Sequence, residues 1–369
     1  MLTRLLILLL LTTTTAAQDR VDSKGFDIAE PGWDYRFPRD HGSHEEFRTE
    51  WWYFTGHLWD EAERRYGFEL TFFRVGVNPP EQRSPGGGPW ALDDIALAHF
   101  AVTDLEDREF IWVEKLNRSS PFTAEAKTGS LEVFNEGWRV AMQGDRSIRL
   151  SAQSENYDLD LRLEARKPPA IHGENGISVK GKGVGYSSHY YSLSRLRAEG
   201  SLRDGERLSE VSGIAWMDHE FGSAILREDQ EGWDWFSIQL DDDTELMLYQ
   251  IRRQDGSPDT TSSGSFIAQD GSVIHLDHHQ FSIEPVDEWT SPRSGGTYPM
   301  GWIVQVPSLG IRLAVEETMR PQELVTEAST DVVYWEGAVN ASGRSGANAV
   351  RGYGYVEMTG YAGAIENLQ

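Results

Sequence analysis

The sequence predicts an all-β protein in which one β-rich unit is used twice. A hairpin-like segment starts at Trp51 (WWYFTGHL, then FELTFFRV ending at Val75), and a second copy starts at Trp233 (WDWFSIQL, then TELMLYQI ending at Ile251). The two copies start 182 residues apart, which is far too long for a solenoid period. Many short strand-like segments separated by turn signals favour a sandwich or a barrel.

Further matching blocks follow each hairpin in the same order, which indicates duplication of a whole domain. They pair Phe100–Asp104 with Phe266–Asp270, Gly137–Trp138 with Gly301–Trp302, Ile148–Leu150 with Ile311–Leu313, and Gly213–Asp218 with Gly352–Glu357. Within the hairpins the offset falls to 176 at Glu69 and Glu245, because the second turn is shorter. We expect a leader at 1–17 and domains at 18–226 and 227–369, with the junction between Gly222 and Gly232.

The first strand of the hairpin, Glu50–Leu58, carries apolar residues on both of its faces. This pattern is typical of a strand that is covered on both sides, and Tyr66–Val75 is predicted to return beside it. The other predicted strands are Ile95–Thr103, Phe110–Leu116, Trp138–Met142, Ser147–Ser151, Leu159–Glu164, His189–Ala198, Glu210–Met217, Trp235–Leu240, Glu245–Arg252, Ser265–Ala268, Phe281–Glu284, Trp302–Val306, Ile311–Val315, Val333–Ala338 and Gly352–Glu357. No convincing amphipathic helix follows residue 18.

Composition narrows the class of protein. The 369 residues are 39% hydrophobic and 25% charged, as expected of globular domains, and the length suits two of them. The net charge of −25 and the pI of about 4.7 argue against nucleic acid and against an anionic membrane surface as partners. The chain has no Cys, which rules out a disulfide, a thiolate metal site and a Cys nucleophile.

The N-terminus has the pattern of a secretory signal. Arg4 precedes an apolar run, Leu5–Leu11, and small residues at Ala16 and Ala17 precede the expected cleavage. A transmembrane anchor is the alternative, but seven apolar residues are too few to cross about 30 Å of hydrocarbon. We therefore expect export to the periplasm or the extracellular medium, and no integral membrane segment.

The strongest candidate for chemistry is the segment Trp216–Gly222, which places Asp218, His219 and Glu220 at the end of a strand near the domain junction. Alternation directs Asp218 and Glu220 to one face and His219 to the other. A carboxyl in an apolar pocket has a raised pKa and can act as a general acid. The alternative is structural: an Asp that caps a turn and a His satisfied by the backbone.

The hairpin strands carry polar residues that alternation could send into a barrel: Glu50, His57, Glu69, Arg74 and His99. Structural ion pairs such as Glu69 with Arg74, or Glu50 with Arg48, are the alternative for these residues. The cluster His275, Asp277, His278 and His279 is better explained as a solvated turn than as a metal site. We find no GxSxG, P-loop or dinucleotide glycine pattern, so no metal or cofactor is predicted.

Several long motifs resemble the AttH-like proteins, a family often labelled predicted secreted hydrolases and related to carotenoid 1,2-hydratase (hydroxyneurosporene synthase). The motifs are HGSHEEFRTEWWYFTGHL (His41–Leu58), YYSLSRL (Tyr190–Leu196), GIAWMDHEFGS (Gly213–Ser223), GWDWFSIQLDD (Gly232–Asp242), YWEGAV (Tyr334–Val339) and GYGYVEMTGYAG (Gly352–Gly363). The resemblance covers nearly the whole mature chain. It implies two tandem lipocalin-like antiparallel β-barrels.

The resemblance also implies a site. An Asp in the hydratase motif that matches Asp218 is the expected proton donor, and aromatic residues are expected to steady a carbocation. We therefore expect Asp218, His219 and Glu220 to be catalytic in a cofactor-independent hydratase, lyase or isomerase that acts on a hydrophobic unsaturated ligand. The residues expected to bind that ligand are Trp52, Glu69, His99, Tyr191, Trp216, Trp233 and Trp235.

Two alternatives remain open. The chain could be a non-catalytic periplasmic carrier of a lipid-like ligand, associated with an export system, since an eight-stranded barrel can hold one small apolar ligand. It could instead be a scaffold of two filled barrels with no pocket.

Overall fold

The computed structural model describes residues 21–83, 91–144, 147–223 and 226–363. The predicted leader at 1–17 therefore lies outside the described residues. Almost every described element is a strand, apart from short 3-10 turns at Arg39–His41, Pro80–Gln82 and Pro307–Leu309. No helix in the described ranges has the length and apolarity needed to cross a membrane. The prediction of an all-β fold is confirmed.

The first half of the chain forms one antiparallel sheet that curls into a nearly closed barrel. Its central strands occur in the order β4-β3-β2-β1-β13-β12-β9, in the labels that follow. The strands are β1 Thr49–Asp60, β2 Arg65–Gly76, β3 Asp94–Asp104, β4 Glu109–Arg118, β5 Ala124–Ala126, β6 Glu132–Asn135, β7 Trp138–Met142, β8 Ser147–Gln153, β9 Tyr157–Ala165, β10 Ala170–Ile171, β11 Ser178–Val179, β12 Ser187–Asp204 and β13 Arg207–Gly222.

The second half forms another antiparallel sheet, which curls into a half-barrel. Its order, β17-β16-β15-β14-β23-β22-β20, repeats the order of the first sheet, as a duplicated unit requires. The strands are β14 Gln230–Leu240, β15 Glu245–Arg253, β16 Ser263–Ile267, β17 Val273–Asp277, β18 Ser282–Thr290, β19 Thr297–Val306, β20 Ile311–Glu317, β21 Glu323–Thr326, β22 Val332–Ser345 and β23 Asn348–Thr359.

Each sheet fills its concave side with apolar side chains supplied by strand alternation. In β1, Trp52, Phe54 and Leu58 enter a core that is completed by residues such as Trp138 from the far wall. The equivalent core of the second sheet includes Trp302 and Trp335 among its largest members. Both concave cores are therefore packed with side chains.

The convex faces of the two sheets pack against each other and form a third apolar cluster. At its centre Tyr53 of β1 meets Trp235 of β14 edge-to-face, with ring centroids 5.2 Å apart. Gly67 of β2 lets the sheets approach closely, because a Cβ there would lie 2.5 Å from the hydroxyl oxygen of Tyr355. This packing explains why β1 is apolar on both faces.

The strand order and register correct several sequence correspondences. Ile311–Leu313 lies on β20, which takes the place of β9 and not that of β8, the strand that carries Ile148–Leu150. Likewise Gly301–Trp302 lies on β19, which takes the place of β8 and not that of β7.

Tyr53 stands opposite Asp218 in the first sheet, and Trp235 stands opposite Glu357 in the second, which agrees with the matching blocks. Glu69, however, pairs with Thr55, whereas Glu245 pairs with Gln239. The two turns have the same length, since Asp60 bonds to Arg64 and Leu240 to Thr244 in the same way. Because the second hairpin instead loses two residues from each strand, Glu69 and Glu245 are not equivalent in the fold.

A further correction concerns the histidine cluster that we expected to form a solvated turn. His275 lies within edge strand β17, and its Nε2 is 3.4 Å from Oδ1 of Asp277. His278 and His279 do lie in the exposed turn that follows. This strand was not predicted because its polar residues interrupt an apolar pattern that is already short.

Candidate active site between the two sheets

A cavity of about 130 Å³ lies between the convex faces of the two sheets, outside both barrel cores. A volume of this order accommodates a group the size of benzene. Polar residues from β1, β2, β13, β22 and β23 line it together with aromatic residues. The expectation that polar hairpin residues point into a barrel is therefore wrong for Glu69 and His99, which face the opposite sheet.

Asp218 lines this cavity and is 3% exposed. Its Oδ2 accepts a 2.6 Å hydrogen bond from the Tyr190 hydroxyl, and its Oδ1 accepts one of 2.6 Å from Nε1 of Trp216 and another from Ser192. Burial raises the pKa of this carboxyl, the three hydrogen bonds lower it, and the result is a pKa of about 7. Asp218 thus exists in both protonation states near neutral pH.

Glu220 lies two residues further along β13, on the same face as Asp218. It accepts a hydrogen bond from Ser188, and its Oε1 is 3.1 Å from Nζ of Lys180. The Lys180 ammonium also lies 4.1 Å from the ring centroid of Tyr249, which belongs to the second sheet. We call the set of Lys180, Tyr190, Asp218 and Glu220 the Asp218 network.

Glu69, Glu336 and Glu357 form a second group on the cavity, which we call the carboxyl cluster. Tyr53 donates a 2.7 Å hydrogen bond to Oε1 of Glu336, and Thr71 donates one to Oε1 of Glu69. The other carboxyl oxygen of each of these two residues has no hydrogen-bond partner among the described residues. No Lys or Arg in the described ranges forms an ion pair with the cluster.

The pKa values of all three carboxyls are raised, chiefly by burial. The raised value is about 8 for Glu357, where a hydrogen bond from Trp233 opposes the burial and the charge of Asp218 adds to it. Burial and the charge of Glu357 hold the pKa values of Glu69 and Glu336 well above their usual range. At neutral pH the cluster is therefore largely protonated.

The two walls of the cavity are related by the internal duplication, yet they differ chemically. The register pairs Tyr190 with Glu220 and Ser192 with Asp218 in the first sheet. The corresponding pairs in the second sheet are Tyr334 with Thr359 and Glu336 with Glu357. A pseudo-symmetric pocket thus carries an acid–hydroxyl pair on one side and two facing carboxyls on the other.

Aromatic residues supply the rest of the lining. Trp233 and Trp235 both line the cavity, and Nε1 of Trp235 donates a 3.0 Å hydrogen bond to the hydroxyl of Tyr190. Trp216 lies behind Asp218 in the interface cluster and holds the carboxyl through its ring nitrogen. His99 accompanies Tyr334, whose hydroxyl is 2.7 Å from its Nδ1, and burial lowers the pKa of His99 to about 3.

Three residues expected at the site lie elsewhere. Trp52 belongs to the core of the first barrel, where its ring stacks on His219 at 4.8 Å. His219 faces away from the cavity, and its Nε2 is 2.9 Å from Oε1 of Glu50. The Tyr191 hydroxyl is 3.0 Å from Nδ1 of His219 and 2.7 Å from Nδ1 of His41. Strand alternation puts these side chains on the opposite side of β1, β12 and β13 from Asp218.

The structural ion pairs suggested by the sequence form with different partners. Arg74 pairs with Glu50 at 3.1 Å and with Asp94 at 2.9 Å, not with Glu69. Glu50 also accepts hydrogen bonds from the backbone and from Nδ1 of His44. The alternative of a structural network is therefore correct for Glu50 and Arg74.

One group within this network has metal-ligand geometry. The ligand atoms of His44, Glu50 and His219 lie within 4.8 Å of one another. Each is already engaged in hydrogen bonds, and the Arg74 guanidinium lies against the same carboxylate. These contacts fit a buried polar network, whose groups satisfy one another's hydrogen bonds, better than they fit a cation site.

Sequence reasoning missed Tyr190, Lys180 and Glu336 as cavity residues. Glu336 could have been found, because it is a lone charge in the apolar run YWEGAV, as Glu69 is in FELTFF. Lys180 gives no such signal, since it lies in a glycine-rich loop.

Solved structures share this architecture. An AttH from Nitrosomonas europaea superimposes with a TM-score of 0.79 and 33% identity, covering 90% of this chain and 98% of that one. Kievitone hydratase from Nectria haematococca gives a TM-score of 0.69 at 16% identity, covering 93% and 96% of the two chains. At that identity the second likeness shows the fold alone.

Among curated proteins, the dehydratase asqC of Emericella nidulans is 19% identical over 233 residues. The match spans 58% of this chain and 61% of the dehydratase. The family model described as AttH-like matches residues 28–361, which is most of the chain and includes both sheets and the cavity between them. The chain belongs to the AttH-like family.

Proposed function

We propose that this protein is a cofactor-independent hydratase or dehydratase of a hydrophobic, unsaturated small molecule. The observation that carries the proposal is Asp218, a buried carboxyl with a pKa of about 7 that lines an aromatic cavity. Such a group can give or take a proton near neutral pH. The hydratase and dehydratase relatives support the same reaction class.

In the hydration direction, the Asp218 carboxyl transfers its proton to one carbon of a C=C bond, and a cation develops on the other carbon. Trp233 and Trp235 line the cavity and can face that cation through their rings, at about 0.5–2 kcal/mol each. Water adds to the cation, and its released proton restores the Asp218 carboxyl. Glu220, which contacts Ser188 and Lys180, orients the water in this proposal.

The test uses the purified protein and any ligand that co-purifies with it. Lipid extraction and mass spectrometry identify the ligand, which is then incubated with fresh enzyme in D₂O. We expect a ligand that gains or loses one water, or that incorporates deuterium at carbon. The variant Asp218→Asn should abolish the change without unfolding the protein.

A chemically unaltered ligand in the wild type, or full activity in Asp218→Asn, would refute the enzymatic proposal. The first outcome would favour the carrier. A panel of isoprenoid and phenolic alkenes serves as substrate if no ligand co-purifies, with Glu284→Gln, an exposed position on β18, as the matched control.

A further inference from the structure

The carboxyl cluster is unusual because two of its buried oxygens form no hydrogen bond with the described residues. Oε2 of Glu69 and Oε2 of Glu336 are buried and have no partner among the described residues. Each of these side chains is 1% exposed, and both line the cavity. Buried polar atoms are nearly always hydrogen-bonded, so an orphaned pair on a cavity wall indicates a ligand group that completes them.

A cationic donor satisfies these oxygens when the carboxyls are ionised, because ionised carboxylates only accept hydrogen bonds. A protonated carboxyl donates through one of its oxygens, so the ligand's donor has to displace that proton. Nearby cations do not meet this need, because Lys180 is paired with Glu220 and Arg74 with Glu50 and Asp94.

The aromatic lining favours a charged donor over a neutral one. Trp233, Trp235 and Tyr53 line the same cavity as the carboxyls, and the rings of Tyr53 and Trp235 are in contact. Carboxylates combined with several aromatic rings are a common arrangement for organic ammonium ions. The carboxyl oxygens of the cluster do not converge within 4.8 Å of one another as those of a metal site do. An ammonium group on an apolar frame does not require that convergence.

We infer that the ligand of this cavity carries a basic amine, whose ammonium group binds to Glu69, Glu336 and Glu357 while its apolar part lies against the tryptophans. The inference rests on the proposed function in that it takes the cavity as the substrate site. It narrows the substrate class to hydrophobic amines.

Binding of an ammonium must release protons, since the cation favours the ionised carboxylates. The affinity for an amine should therefore rise between pH 6 and pH 8, by up to about tenfold per pH unit for each proton released. Among the described residues, the other titratable or charged groups that face the cluster are Tyr53, His99, Lys180, Asp218, Glu220, Tyr334 and Tyr355. Of these, Asp218 has a raised pKa within this window.

The experiment compares benzylamine with benzyl alcohol, which has nearly the same shape but no charge. Affinities come from tryptophan quenching and from calorimetry in buffers of different ionisation enthalpy, which counts the released protons. We expect benzylamine to bind at least about tenfold more tightly at pH 7.5, to release about one proton and to gain affinity with pH. Glu336→Gln and, independently, Glu69→Gln should remove most of this preference for the charged probe.

Glu284→Gln on the exposed side of β18 is the control, and Asp218→Asn must keep the amine preference. Equal affinities for the two probes, absence of proton release, or failure of both probes to bind would overturn the inference. None of these outcomes bears on the D₂O assay, so the proposed hydratase activity stands or falls separately.

Discussion

The hydroxyl of Tyr190 donates a 2.6 Å hydrogen bond to Oδ2 of Asp218 and accepts one of 3.0 Å from Nε1 of Trp235. This relationship couples the proposed proton donor on the first sheet to an aromatic wall of the second. The site therefore exists only when the two sheets are docked.

Tyr190→Phe removes a donor that favours the ionised form of Asp218. The pKa of Asp218 should rise, and turnover should fall by roughly 10–100-fold, since the carboxyl is less well positioned. The measurement is a pH–rate profile of the hydration reaction. Tyr191→Phe is the matched control, because that hydroxyl contacts His41 and His219 on the other side of the strand. An unchanged profile in Tyr190→Phe would contradict the assignment.

The pH dependence of the wild type follows from the pKa of about 7 at Asp218. A proton donor must be protonated, so kcat/KM for hydration should be constant at low pH and should fall about tenfold per unit above the pKa. Measurement from pH 5 to pH 9 checks this. Activity that instead rises through pH 7 would assign Asp218 as a base.

Trp52→Phe tests whether that indole belongs to the core or to the site. It fills the first barrel and donates a 3.0 Å hydrogen bond from Nε1 to the carbonyl of His41. The smaller ring should lower the free energy of unfolding by about 1–3 kcal/mol and leave ligand affinity unchanged. Trp235→Phe, which alters the cavity wall, should weaken ligand binding. If Trp52→Phe lowered the ligand affinity and Trp235→Phe did not, Trp52 would belong to the site after all.

The charge on His44 makes the free energy of unfolding depend on pH in the alkaline range. Burial opposes its charged form, but hydrogen bonds with Asp40 and Glu50 dominate and raise its pKa to about 9. A group whose pKa is raised on folding contributes stability that is complete below its ordinary pKa and is lost as the pH rises through the folded value. We expect the wild type to lose about 2–3 kcal/mol between pH 6 and pH 9.5 that His44→Gln does not lose.

Urea unfolding at the two pH values measures this difference, with His278→Gln in an exposed turn as the control. Parallel losses in the wild type and in His44→Gln would show that the imidazole is not charged in the fold.

The sequence was sufficient for the duplicated all-β fold and for the place of Asp218, because the matching blocks end at the strand that carries it. It was not sufficient for the location of the cavity. Alternation divides β1 into two faces, but both are apolar, so nothing distinguishes Trp52, which faces the core, from Tyr53, which faces the other sheet. Short strands such as β5, β10 and β21 were missed because a few residues carry no periodicity. Export stays a prediction from the run Leu5–Leu11.

The contact between Tyr53 and Trp235 joins two positions that the duplication makes equivalent. Such a contact has the geometry of a twofold dimer, in which each change in the gene alters both halves at once. Fusion of the copies into one chain removes that constraint. One half could then acquire Asp218 and Ser192 while the other acquired Glu357 and Glu336. The pocket could therefore hold an asymmetric substrate in one orientation only.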